Sequence, residues 1–477
     1  MVKQLTNKTL ARNSVFNLIY NILNLLFPLI TSMYVSRILY PAGVGRVAYA
    51  QNITSYFITF ATLGLPTYGV REIAKARTND HSVNRTFTEL LIVSWISTSV
   101  ATVAFLAVVF SPSMEDKRVL MLCCGVQLFF NFINIDWLYQ GLEEYVYIVC
   151  RSISIKVISI VCIFLFVRQK EDYILYALIS SVALAGNYLF NICHARKYVR
   201  FDFKGFQIKR HIKPLLILGA AVFFSTIYSK LDITMLGAMH SERETGLYSN
   251  AFRLVAIASS VSASISAVFL PRLSYYYNSD RDSFQNLIQF GIRVISFFAF
   301  PIVAGLIILA PGAVQILFGK EFIDAVPTIR ILAILVLIKS FGDLLCYQLA
   351  IATGHEKERL LAYALAALLN ICLNYLLIPV MGRNGAAIAS VFSELLLNAI
   401  QFFKMKKIIG YHIGARPIVL GIATTAFMAV SMLAVMHVTM HILLQSVVAA
   451  FVGVICYIGL NWVLHNEILR SIVRKDI

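Results

Sequence analysis

The sequence predicts an all-α polytopic membrane protein: a bundle of about fourteen transmembrane helices in two six-helix repeats, with an added C-terminal helix pair. Three observations predict it. Hydrophobic residues make up 59% of the 477, charged residues 14%, and the mean hydropathy is +0.77. Soluble domains hold about 45–50% apolar and about 25% charged residues, so no soluble core could hide this excess. Apolar runs of about 20 residues, the length that crosses a bilayer, recur along the whole chain. Lys and Arg alternate in density from one inter-run segment to the next, as expected when basic residues gather on one membrane face. The same composition excludes disorder, collagen, coiled coil and a disulfide-bonded secreted scaffold.

The N-terminal segment MVKQLTNKTLARN is polar and carries Lys3, Lys8 and Arg12. The apolar stretch from Val15 to Val35 is too long for a signal-peptide core and has no A-x-A-like cleavage site behind it. It is read as the first retained span. The expected spans are 14–36, 47–70, 86–110, 119–139, 146–167, 173–193, 214–239, 246–270, 286–310, 326–350, 360–380, 385–403, 417–437 and 441–464. The longest gap, between spans six and seven, is about 20 residues, too short for a soluble domain. The tail RSIVRKDI carries no lipidation or retention motif. Placing both termini in the cytoplasm puts 26 Lys/Arg on the inner face, 9 on the outer face and 6 at membrane depth. The net charge of +17 is therefore mostly a topology signal toward anionic lipid, and no nucleic-acid partner is expected.

Two pairs of local motifs recur at nearly one offset. PAGVGRVAYAQN and SERETGLYSNAF each open a helix, around Gly45 and Gly246, 201 residues apart. YQGLEEY and ATGHEKE share Gly-x-Glu at Gly141/Glu143 and Gly354/Glu356, 213 residues apart. A shared offset near 200 predicts six-helix lobes at 1–200 and 201–410, with an additional helix pair and cytoplasmic tail at 411–477. Parallel repeats about an axis along the membrane normal imply a central cavity between the lobes.

Catalytic and metal-binding patterns are missing from the sequence. The eight cysteines lie in or at the edge of spans and none has C-x-x-C spacing. Walker-type, H-E-x-x-H and G-x-S-x-G motifs do not occur. No catalytic residue, metal or cofactor is expected, and the chain is not expected to be an enzyme.

Function is sought instead in charges at membrane depth, each of which costs at least about 2.5–3.5 kcal/mol at the bilayer centre. The basic ones are Lys156, Lys230, Arg253, Arg293, Arg330 and Lys339; the acidic ones are Glu89, Asp136, Asp232, Asp343 and Glu394. Arg330 is close enough to its span end to snorkel. Glu89 and Asp136 also lie near span ends, where capping or pairing suffices. Lys339 and Asp343 are i,i+4, which fits either an intrahelical ion pair or a substrate contact. Lys230 and Asp232 are i,i+2 and cannot face each other, so at least one needs a partner elsewhere. The substrate-cavity candidates are Lys230, Asp232, Arg253, Lys339 and Arg293; Asp232, Glu394 and Asp343 are candidates for proton or sodium coupling.

The first half is rich in amides instead. Asn17, Asn21 and Asn24 form one stripe at i, i+4, i+7, and Asn131 and Asn134 are i, i+3. Amides in lipid bond across helices or line a hydrated cavity. A cavity with one cationic and one amide-rich lobe suits a phosphate or diphosphate joined to a sugar, with a lipid tail left in the bilayer.

Five segments carry a family likeness: SRILYPAGVGR (36–46), GLPTYGVREIAKAR (64–77), NIDWLYQGLEEY (134–145), SKLDITMLG (229–237) and TGLYSNAFRL (245–254). Together, over essentially the whole chain, they resemble the polysaccharide-transporter branch of the MOP superfamily, the flippases for lipid-linked O-antigen and capsule repeat units. The resemblance implies a MATE-like two-lobed bundle in the bacterial inner membrane. It implies movement of an undecaprenyl-diphosphate-linked oligosaccharide from the cytoplasmic to the outer leaflet, with Arg253, Lys230 and Asp232 lining the cavity. The lipid-linked substrate, membrane lipids, and a polymerase and other assembly proteins are the implied partners. The family turn usually reads Leu-Gly-Pro; here it is Leu39-Tyr40-Pro41, a departure expected to affect only the loop. A MATE-type cation-coupled drug exporter is the alternative, although span one lacks the acidic residue such proteins place there. A lipid II flippase, and from another class a membrane-bound polymerase, are further alternatives; the polymerase lacks the large loop its chemistry needs.

Overall fold

A span that is apolar on all sides has no water to bond its backbone, so the chain pairs its own N–H and C=O groups as helix. The computed structural model describes residues 7–77, 79–438 and 441–474, with side chains described for 26–77, 79, 81–438 and 441–470. Among the described residues there is no β-strand, and ten unbroken helices are long and apolar enough to cross a membrane. The other four expected spans fall on one long helix broken once and on two stretches with internal irregularities. The chain divides into two compact units, Met1–Gly237 and Ala238–Ile477.

The first unit opens with the helix Asn7–Thr62, which is broken at Tyr40 (φ 57°, ψ 175°) into α1 (7–39) and α2 (41–62). The loop expected between spans one and two is thus a single residue. Pro41 follows it at the start of α2, where its missing N–H costs nothing. A short helix, Leu65–Ala76, leads to α3 (Asp80–Val109), whose start is capped by Asn79 Oδ1 accepting from the His81 N–H at 3.0 Å. Then come α4 (118–141, interrupted), α5 (Tyr145–Phe166), α6 (Tyr173–Ala195) and α7 (Lys209–Met239).

Two apolar clusters hold this unit. One joins Ile53, Phe105, Leu120 and Leu128; the other joins Tyr68, Phe87, Leu90, Trp137 and Leu215. A Cβ on Gly64 (φ +76°) would lie 2.8 Å from the Gly219 nitrogen, so the end of α2 and α7 cross backbone to backbone. Glu89, fully buried on α3, clasps the start of α7. It accepts from Arg85 Nε (3.0 Å), the Gln207 N–H (2.7 Å) and Arg210 Nη2 (2.5 Å), and lies 2.8 Å from His211 Nε2. Tyr68 closes the network at 2.8 Å from His211 Nδ1. Glu89 thus pairs near a span end, as its position suggested.

The second unit holds α8 (Glu242–Ala267), a short helix Leu270–Ser279, α9 (Arg281–Leu317), α10 (326–352), α11 (Arg359–Met381), α12 (Arg383–Ile409), α13 (Ala415–Met436), α14 (Ile442–Val463) and a terminal helix Glu467–Arg474. Ser241 caps α8 by accepting from the Glu244 N–H, and Asp280 caps α9 through Asp282 and Ser283. At the end of the bundle where α8 and α12 begin, Arg383 pairs with Glu244 and donates to the Asp324 carbonyl at 2.8 Å. The outward faces of both units are apolar, as at Val103, Phe224 and Val380, where lipid would lie.

Candidate functional site

In the first unit the irregular span is α4. The helix Arg118–Phe129 gives way to a 3₁₀ turn, Asn131–Ile133, then extended Asn134, before helix resumes at Asp136–Gly141. Asn131 and Asn134 provide the polar groups such a break needs. Asn131 Nδ2 donates to Thr98 Oγ1 (2.8 Å), and Asn134 Nδ2 donates to Asn131 Oδ1 (3.1 Å). Trp95 Nε1 donates to the freed Phe132 carbonyl at 2.9 Å. On the far side of the break, Asp136 accepts from Arg151 Nη1 (3.1 Å) and from Asn191, and Arg151 also bonds Asn191. A cleft of about 130 Å³ opens here, lined by Thr62, Ser94, Asn131, Asn134, Asp136 and Gln140. Its walls offer amides, hydroxyls and one carboxylate.

Lys230 and Asp232 lie on α7 of the same unit. Asn52 of α2 donates to the Lys230 carbonyl at 3.1 Å, and Tyr56 is 2.7 Å from Thr234. Asp232 is buried. The Lys230 ammonium is half-buried and has no ion-pair partner among the described residues. Asn17, Asn21 and Asn24 belong to α1, but their side chains lie outside the described residues.

In the second unit the irregular span is α10, which widens into a π-helical turn, Asp343–Gln348, between Val326–Gly342 and Leu349–Ala352. Lys339 Nζ lies 4.0 Å from Glu394 Oε2 on α12, so its ion pair crosses between helices rather than running along one. Glu394 also accepts from Asn398 Nδ2 at 3.1 Å. Asn398 fills the notch left by Gly342, where a Cβ would overlap its side chain. Beside the turn, Arg359 lies 4.2 Å over the Tyr347 ring and donates to Tyr363 Oη (2.7 Å) and Gln401 Oε1 (3.3 Å). Arg253 is half-buried on α8, which packs on α10, and has no carboxylate partner among the described residues.

Lys339, Asp343 and Glu394 therefore gather around one turn. Arg293 does not join them: it pairs with Glu467 of the terminal helix. Arg330 is exposed and donates to the Ile307 carbonyl at 3.2 Å, in keeping with snorkelling. Sequence reasoning missed Arg359, counting it as a loop charge. The i,i+4 pair Arg359/Tyr363 was the available signal.

The two irregular turns are related. Residues 130–135 and 343–348 stand at the same 213-residue offset as Gly141 and Gly354. Likewise α2 and α8 begin 201 residues apart, at Pro41 and Glu242, so Asn52 and Arg253 hold equivalent positions along the sequence offset.

Comparison with known proteins agrees with this architecture. The chain has a TM-score of 0.64 to a multidrug resistance MATE family transporter of the MOP superfamily, solved inward-facing, at 15% identity, covering 81% of this chain and 94% of that one. The TM-score is also 0.64 to the lipid II flippase MurJ in an inward closed conformation, at 14% identity, covering 94% and 99%. At these identities the likeness establishes the fold. A protein of Escherichia coli (strain K12), provisionally named an O-antigen transporter, is 26% identical over 404 residues, 83% of this chain and 96% of its own. The family described as Polysaccharide biosynthesis protein matches residues 10–277. That match spans more than half of the chain, and this protein belongs to the polysaccharide biosynthesis protein family.

Proposed function

We propose that the chain is a flippase for polysaccharide precursors, carrying undecaprenyl-diphosphate-linked oligosaccharide repeat units from the cytoplasmic to the outer leaflet during O-antigen, capsule or exopolysaccharide assembly. Family membership and the name of the Escherichia coli relative support a polysaccharide flippase. The observation that carries the finer reading is two cations on spans expected from the sequence, Lys230 in the first unit and Arg253 in the second, each without a carboxylate partner among the described residues. An uncompensated charge there is costly and calls for an anionic ligand. Diphosphate is such a ligand, and a guanidinium can grip it bidentately.

In this reading Lys230, Arg253 and Lys339 meet the diphosphate. Asn131 and Asn134, with Asn17, Asn21 and Asn24, meet sugar hydroxyls. Asp232, Asp343 and Glu394 are the groups for proton or cation coupling during alternating access. The sequence offset favours lobes 1–200 and 201–410, with 411–477 as the added pair, although most of α7, with Lys230 and Asp232, groups with the first compact unit; both termini face the cytoplasm of a bacterial inner membrane. Lipids surround the bundle, and a polymerase and other assembly proteins receive the product. The equal likeness to a drug exporter and a lipid flippase leaves the fold silent on cargo, whereas the expected first span, 14–36, holds no acidic residue.

Replacing Arg253 or Lys230 by Ala is expected to lower surface polysaccharide about tenfold or more, the value of a lost charged contact, while lipid-linked precursor accumulates inside. Normal surface glycan at normal levels of the variant protein overturns the assignment.

A further inference from the structure

We propose that the second unit carries a separate phosphate-binding site for an acidic phospholipid headgroup, between α9, α13 and the turn into the terminal helix. A cavity of about 250 Å³ lies there, lined by Gln289, Arg293, Arg416, Tyr457, His465 and Glu467 among others. Arg293 pairs with Glu467 through Nη1, while its Nε is buried and without a partner among the described residues. Arg416 is exposed at the start of α13 and has no carboxylate partner among the described residues. Two guanidiniums thus stand against one carboxylate, and the surplus charge faces the cavity.

The walls are built rather than loose. His465 turns the chain at φ 54°, and Asn466 Oδ1 accepts from the Ile468 N–H at 3.0 Å while its Nδ2 donates to Asn461 Oδ1 at 2.7 Å. Ile468 and Leu469 are buried against Phe297, Met428 and Tyr457, so the terminal helix is docked. Gln289 accepts from the Gly414 N–H at 3.0 Å and holds the strand of chain leading into α13.

The volume is below the roughly 300–1,000 Å³ of drug-sized sites and suits one headgroup. Beside it Trp462, Val463 and Leu464 are exposed, an apolar track for acyl chains. This end of α9, α13 and α14 is the one the Lys/Arg distribution places in the cytoplasm, where basic pockets between helices attract acidic headgroups. The site does not depend on the flippase reading, because none of its residues belongs to the group around Lys339.

The test uses the full-length protein in mild detergent, with thermal unfolding followed as lipid is added. Phosphatidylglycerol is expected to raise Tm, and phosphatidylcholine and inorganic phosphate are not. Arg416→Ala, at an exposed position, is expected to weaken the apparent phosphatidylglycerol affinity about fivefold, and Glu467→Gln to tighten it by a similar factor. Unchanged affinity in both variants overturns the site. Equal stabilisation by inorganic phosphate at matched concentration overturns the lipid assignment.

Discussion

α4 in the first unit and α10 in the second hold the same place in the repeat, and both are irregular there by different means. α4 breaks outright, and the polar side chains at the break bond one another: Asn131 to Thr98 and Asn134 to Asn131 within it, and Arg151 and Asn191 to Asp136 beyond it, with Arg151 Nε left without a partner among the described residues. α10 stays helical but widens into a π turn, a feature frequent at functional sites. The Lys339–Glu394 ion pair beside it is long, at 4.0 Å. A buried polar group left unbonded costs about 1–3 kcal/mol, so the hydrogen bonds made around α4 contribute to stability. A long, partly exposed ion pair contributes little and can exchange partners. The two turns thus differ in kind: one is a break spanned by amides and an Arg–Asp pair, the other a π turn beside a long Lys–Glu pair.

The largest effect expected from this contrast falls on Arg151. Its side chain is 5% exposed and tied to both Asp136 and Asn191. Arg151→Ala removes the cation from Asp136, which keeps the Asn191 donation, and leaves the Asn191 oxygen without its donor; breaking a buried pair from one side costs about 3–5 kcal/mol. Because Asp136 is 34% exposed, the lower end applies. Thermal unfolding of the purified protein, and its abundance in membranes, should both fall. A Tm within a degree of wild type would remove the α4 half of the comparison.

The next effect is smaller and of opposite sign. The repeat-related starts of α2 and α8 differ in their preceding residue: Ser241 is extended and caps its helix, whereas Tyr40 sits at φ 57°, ψ 175°. Non-glycine residues in that region carry about 1–3 kcal/mol of strain. Glycine relieves it but gives back about 0.5–1 kcal/mol in chain entropy. Tyr40 is 44% exposed, so only part of its packing is lost. Tyr40→Gly should stabilise the protein by about 1 kcal/mol in thermal or denaturant unfolding. A destabilised variant would mean that the tyrosine ring is itself a contact the fold needs.

Much of this fold is visible in the sequence because length and apolarity are local properties. All ten unbroken membrane-length helices fall on expected spans. The repeat is proposed on the same local basis, since Gly-x-Glu and the helix-opening segments are short motifs. The irregular turns were not visible. The run through Leu128, Phe129 and Phe130 is as apolar as its neighbours, and only Asn131 and Asn134 hint that the backbone there needs polar help. Partner choice was equally hidden. Arg85 lies i−4 from Glu89, but Arg210 and His211 reach the same carboxylate from more than 120 residues away. For Lys339 the sequence offered Asp343 one turn on, while the ion pair formed is with Glu394 on α12. Helical register measures distance within one helix and carries no information about which carboxylate a neighbouring helix presents.

That pair carries the smallest stability effect and the sharpest test of the comparison. Glu394→Gln keeps an oxygen for Asn398 to donate to and removes the charge facing Lys339. The Lys339 side chain is 37% exposed and its pair with Glu394 is long, so unfolding should shift by less than about 1 kcal/mol. Lys339→Ala should be similarly mild. If the charges around the π turn exchange partners during transport, both variants should lose surface polysaccharide while their unfolding stays near wild type, the reverse of the pattern at Arg151. Should both variants export normally, the turn in α10 is a packing feature built around Gly342 and Asn398, and the two units differ in geometry without differing in role.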